Sequence, residues 1–73
     1  PDDNSYFYWA VRKMRSISLW IRFDPDQMPT RCEYYTIVDG HEEVVELETF
    51  GTSVSRTVAS FGPGTLGIRW SWD

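Results

Sequence analysis

Residues 16–23 are apolar at every second position: Ile17, Leu19, Ile21 and Phe23 alternate with Ser18, Trp20 and Arg22. Side chains of an extended chain point to its two faces in turn, so this period predicts a strand with one buried face. Residues 66–72 repeat the pattern, with Leu66, Ile68, Trp70 and Trp72 against Gly67, Arg69 and Ser71. A glycine inside a strand marks a bulge or a close backbone approach. Gly67 is therefore expected to let an aromatic ring from a neighbouring strand lie across it.

Residues 31–38 and 41–50 flank Asp39-Gly40. Asp-Gly favours a two-residue type I′ turn, which needs positive φ at both central residues. That turn sets a register: Val38 opposite His41, Tyr35 opposite Val44, Tyr34 opposite Val45, and Cys32 opposite Leu47. Cys32, Tyr34, Val45 and Leu47 then share a core face. On the other face Arg31 lies opposite Glu48, and Glu33 lies opposite Glu46. Like charges directly opposed destabilise a sheet, so the register requires either a longer turn or a compensating cation.

Residues 54–61 predict a further strand. Residues 5–14 carry two patterns. Phe7, Ala10, Val11 and Met14 have helical spacing, with Asp2, Asp3 and Asn4 as candidate caps and Arg12, Lys13 and Arg15 at the C-terminal end. Phe7, Trp9 and Val11 alternate as in a strand, and the aromatic content tips the reading that way. Turn signals follow at short intervals: Asp24-Pro25-Asp26 to Pro29, Asp39-Gly40, Gly51-Thr52-Ser53 and Gly62-Pro63-Gly64. The expected fold is mostly β, a small antiparallel sandwich or barrel of five to six strands, with one short N-terminal helix as the variant. The expected core is Ile17, Leu19, Ile21, Phe23, Tyr34, Val45, Leu47, Val58, Leu66, Ile68 and Trp70.

The length, 73 residues, allows one domain with a modest core. Four Trp, four Tyr and four Phe exceed what such a core can hide, and exposed apolar patches mark contact sites. The single cysteine, Cys32, excludes an internal disulfide. A reduced, cytosolic setting fits slightly better than a secreted one, and the compartment stays open. No apolar run reaches the ~20 residues of a membrane-spanning helix. A chain that starts at Pro1 and stops at Asp73 just after a strand pattern reads as a processed chain or a piece of a longer one.

Charge is unevenly spread. Residues 4–22 hold Arg12, Lys13, Arg15 and Arg22 and no acid, whereas residues 33–48 hold Glu33, Asp39, Glu42, Glu43, Glu46 and Glu48 and no Lys or Arg. Either adjacent strands neutralise each other, or the surface is dipolar and steers a partner. Aromatics followed by bases, Tyr6-Phe7-Tyr8-Trp9 before Arg12 and Lys13, suit single-stranded nucleic acid. The net charge of −4 argues against that reading. Trp20, with Ser18 and Arg22 beside it, either packs in a second apolar layer or presents a ring on which a sugar can stack.

Catalytic chemistry finds little footing. His41 and Cys32 are the sole residues of their types, and the hairpin register sets them roughly 20 Å apart at ~3.3 Å per residue. Nucleophile-elbow, phosphate-loop and zinc-spacing motifs are absent. Asp24 and Asp26 resemble a fragment of a calcium loop, but Asp beside Pro is ordinary turn chemistry. No cofactor is expected.

The sequence thus points to a non-catalytic interaction module or assembly subunit, whose partner is another protein or a second copy. A carbohydrate-binding module and a single-stranded nucleic-acid-binding barrel are the alternatives. The expected contact residues are Trp20, Arg22, Arg69 and Trp72, with Glu46 and Glu48 supplying electrostatic complementarity. The 66–72 strand, read as an edge, is the expected place for a partner strand to add.

Overall fold

In the computed structural model, which describes residues 4–72, the chain forms six antiparallel strands in two unequal layers. They are β1 (Ser5–Ala10), β2 (Met14–Arg22), β3 (Arg31–Val38), β4 (His41–Leu47), β5 (Ser53–Phe61) and β6 (Gly64–Ser71). One sheet has the order β1-β6-β3-β4 and the other contains β2 and β5. The helical variant for residues 5–14 does not form: Ser5–Ala10 is strand, and a bend separates it from β2. The capping role read into Asp2 and Asp3 lies outside the described residues. No helix among the described residues is long and apolar enough to cross a membrane.

The β3–β4 hairpin adopts the expected register, from Val38 opposite His41 to Cys32 opposite Leu47. Asp39 and Gly40 take φ of 53° and 78°, as the turn requires. The opposed pair Glu33 and Glu46 is present, and the compensating cation is Arg69. It sits directly across from Glu33 on the next strand, β6.

β2 and β5 pair along their length, Ile17 opposite Val58 and Ile21 opposite Val54. Ile17, Leu19 and Val54 pack against Tyr34, Leu66 and Ile68 of the larger sheet, with Phe23, Cys32 and Ala10 completing the buried core. Phe23 meets Trp70 edge-on, ring centroids 5.4 Å apart. At Ser60, φ is 57°, and the residues paired beyond it, Met14 and Phe61, both pack against the core.

Two strands cannot cover four, since neighbours in a sheet lie ~4.8 Å apart. The smaller layer covers β6 and β3, and both edges of the larger sheet overhang it. This overturns one expected core residue: Val45, on the inward face of β4, is 45% exposed. Tyr6 and Tyr8, which share that face through their pairing with Ile68 and Leu66 on β6, are exposed for the same reason at the other edge. Ile21, Leu47, Val58 and Trp70 are half-buried against the core. Ala10, Val54 and Tyr35 are buried additions that alternation alone did not single out.

The expectation that residues 66–72 form an edge is also overturned. β6 lies inside the sheet, paired with β1 on one side and β3 on the other. Its apolar face, with Leu66 and Ile68, is buried between the layers.

Candidate functional site

The outward face of the larger sheet is a grid of facing residues. One row runs Phe7, Gly67, Tyr35 and Val44; the next runs Trp9, Thr65, Ile37 and Glu42; a third runs Ser5, Arg69, Glu33 and Glu46. Among the described residues no strand packs over this face, and Phe7, Trp9, Ile37 and Val44 are exposed on it. Gly67 makes the middle row possible. A Cβ there would stand 2.7 Å from the Phe7 Cβ and 2.8 Å from the Tyr35 hydroxyl, so aromatics from both neighbouring strands close over the glycine.

Arg69 ties the face together. Its Nε donates to Glu33 at 3.0 Å, its Nη2 lies 3.0 Å from a Glu42 oxygen, and its guanidinium sits 4.8 Å above the Tyr35 ring centre. The hydrogen bond to Glu33, ahead of the other contacts, pushes its pKa up. Arg31 approaches Glu46 at 3.8 Å. Arg69 is thus already engaged three ways within the face.

The second face belongs to β2 and β5. Ser16, Ser18, Trp20 and Arg22 alternate outward there, opposite Ala59, Thr57, Ser55 and Ser53. Trp20 is 62% exposed, so it does not join a second apolar layer. Ser18 and Thr57 hydroxyls meet at 3.0 Å beside it. The inward position opposite Leu19 is Arg56, whose guanidinium lies 4.6 Å over the Tyr34 ring. Burial raises the Tyr34 pKa, against the opposing pull of Arg56.

These placements separate the expected contact residues. Trp20 and Arg22 lie on the outer side of one layer, Arg69 and Glu46 on the outer side of the other. Trp72 follows β6 and donates from Nε1 to the Gln27 carbonyl at 3.1 Å, at the short 3₁₀ turn Pro25–Gln27. Glu48 is exposed beyond the end of β4. One flat partner cannot touch all six.

The charges separate likewise. β2 and β5 contain Arg15, Arg22 and Arg56 and no acid, whereas β4 carries Glu42, Glu43 and Glu46. β2 pairs with β5 and β4 with β3, so the basic and acidic segments do not neutralise each other as adjacent strands. Among the described residues the ion pairs involve Arg31 and Arg69, and Arg12, Lys13, Arg15 and Arg22 form none.

The least expected feature is β1. Tyr6, Phe7, Tyr8 and Trp9 are four successive residues, each at least 43% exposed, on an edge strand. The aromatic run is plain in the sequence, but only sheet order shows that both of its faces stay open.

Groups with reactive chemistry are dispersed. Cys32 is buried, and burial pushes its thiol pKa up. Cys32 and His41 sit at opposite ends of the β3–β4 hairpin. Asp24 accepts the Asp26 amide at 2.9 Å and caps the 3₁₀ turn. Among the described residues no three His, Cys, Asp or Glu side chains are grouped to hold a metal ion. Comparison with protein-family models, curated proteins and solved structures gives no match for this chain.

Proposed function

We propose that this domain is a non-catalytic interaction module that contacts a protein partner through exposed aromatics, with segregated charge orienting the encounter. The observation that carries the reading is the run Tyr6 to Trp9, open to solvent on an edge strand. An uncovered strand edge offers unpaired backbone groups, and partner strands add to such edges. Large rings beside it supply the apolar area that anchors an interface. The basic β2–β5 layer and the acidic β4 edge give the domain two poles, which favour one approach direction over others. Trp20 and Arg22 make a second contact surface on the β2–β5 face; Arg69 and Glu46 belong to the face of the larger sheet, and Trp72 and Glu48 to the chain beyond the ends of β6 and β4.

A photo-crosslinking residue placed at Trp9 tests this in the cells that make the protein. Adducts to a protein chain, lost when the label is moved to the buried position of Leu66, are expected. Labelling of solvent and lipid alone would remove the reading.

A second reading is favoured by the surroundings of Trp20. An exposed ring bordered by Ser18, Ser55 and Thr57 hydroxyls suits stacking on a sugar with hydrogen bonds at its rim. Sugar-competable retention on a glycan array, abolished by Trp20→Ala, separates it from protein binding.

A further inference from the structure

We infer that the partner of β1 is a second copy of this chain, joined antiparallel through β1 to give one continuous eight-stranded sheet. The inference rests on the contact role proposed above for β1.

Among the described residues four strands have a free edge: β1 and β4 in the larger sheet, β2 and β5 in the smaller. β2 carries Arg15 and Arg22, β4 carries Glu42, Glu43 and Glu46, and β5 carries Arg56. Charged side chains are how proteins blunt an edge against pairing. β1, with the sequence SYFYWA, has none.

The backbone fixes the register. Trp70 N–H donates to the Asn4 carbonyl. In an antiparallel ladder, alternate residues point their backbone groups to the same side. Tyr6, Tyr8 and Ala10 therefore bond toward β6, and Ser5, Phe7 and Trp9 present N–H and C=O outward. A two-fold axis at Phe7 pairs all three: Phe7 with its own copy, and Ser5 with Trp9 of the other chain. The same axis sets Tyr6 opposite Tyr8 of the other copy on the inward face. There the overhang of the larger sheet leaves room, and four tyrosines would fill the gap between the two small layers.

Area and charge agree. Tyr6, Phe7, Tyr8 and Trp9 are 54%, 58%, 43% and 68% exposed. At ~200 Å² per ring, about half of it exposed, they offer roughly 400–450 Å² per copy. Two copies approach the ~1,000 Å² expected of a specific interface before the backbone is added. Pairing through β1 leaves the two acidic β4 strands at the far ends of the sheet. At ~4.8 Å per strand they stand roughly 30 Å apart, beyond the ~10 Å screening length. Pairing through β4 would instead press Glu42, Glu43 and Glu46 of both copies together. The two-fold arrangement is closed, so it yields a dimer and not a fibre.

Light scattering after size exclusion, run on the intact chain over a wide concentration range, tests the inference. Twice the chain mass is expected for the wild type. Phe7→Lys and Phe7→Glu each place like charges across the axis, and each is expected at single-chain mass. Both retain the Cβ that meets Gly67, and a 1:1 mixture is expected to regain the dimer. Unfolded variants could not be rescued by mixing. If circular dichroism finds them unfolded, Trp9→Lys replaces them, together with amide exchange on the wild type. There the outward Phe7 and Trp9 amides should lose at least tenfold protection on dilution. A dimer that survives Phe7→Lys, or Phe7 and Trp9 amides that exchange freely in it, overturns the inference. So does a wild type that stays monomeric at every concentration. A monomer that still crosslinks from Trp9 to a different protein would sink the second copy and leave the interaction module standing.

Discussion

Arg69 and Glu33 face each other across β6 and β3, and the arginine Nε meets the carboxylate at 3.0 Å. The contact resolves a conflict visible in the hairpin itself, where Glu33 stands opposite Glu46. Arg69→Met should remove the cation that bridges Glu33 and Glu42 and leave Glu33 opposed to Glu46 without it. The pair is partly exposed, so water screens it, and a loss of about 1–2 kcal/mol is expected. Urea melts should show that loss shrinking as salt is added. Pairing Arg69→Met with Glu33→Gln should cost less than the sum of the single changes, the mark of a direct interaction.

Gly67 carries a steric requirement. A methyl group there would meet the Phe7 Cβ at 2.7 Å and the Tyr6 carbonyl oxygen at 2.8 Å. Neither is the tip of a flexible side chain, so β1 would have to shift away from β6. Gly67→Ala is expected to cost about 2–3 kcal/mol, at the upper range of overpacking changes. Adding Tyr35→Phe removes the hydroxyl at 2.8 Å but not the β1 contacts, so the double variant should recover only part of the loss. Equal stability of Gly67→Ala and wild type in thermal melts would show that β1 is not held at this distance.

The fold was legible where one face of a strand is buried and the other wet. The alternation of Ile17, Leu19 and Ile21, the Asp39-Gly40 turn and the register it imposes all appear in the structure. Sheet order was not legible, because alternation reports which face of a strand is buried and not which strands lie beside it. For that reason the pattern alone presents β6 as an edge, and Val45, apolar and correctly phased, as core. The place of β6 depends on β1 pairing along its other side, and the exposure of Val45 on the smaller layer having two strands. The candidate surface follows the same division. The phase of Trp20 sets it on the side away from the core but leaves open whether a second layer covers it, whereas the openness of Tyr6 to Trp9 depends on β1 being last in its sheet.

Exposure and burial set apart the expected core residue Leu66 from the expected contact residue Trp20. Leu66 is fully buried, and Trp20 is 62% exposed. Leu66→Ala should cost about 3–5 kcal/mol, a large part of the stability of a small domain. Trp20→Ala should stay within about 1 kcal/mol, as surface changes do. Chemical denaturation of the two variants gives the comparison. A large loss at Trp20 would mean that its ring packs where the structure leaves it open.

Stability should fall on the alkaline side, beginning with Cys32. Burial raises its thiol pKa, and burial also raises that of the Tyr34 hydroxyl, against the opposing pull of Arg56. In the unfolded chain both groups lose their protons at ordinary values, 9.0 for the thiol and 10.0 for the phenol. Above those values the folded chain binds more protons than the unfolded one, so stability declines as pH rises. The contribution is complete below pH 9.0 and erodes as pH climbs from there through the raised folded values. Cys32→Val keeps a small apolar side chain in the core and removes the thiol. Its denaturation midpoint should hold steady until the tyrosine region near pH 10.0, whereas that of the wild type starts to fall a unit earlier. Superimposable pH profiles for the two proteins would show that the Cys32 thiol ionises as readily in the folded chain as in the unfolded one.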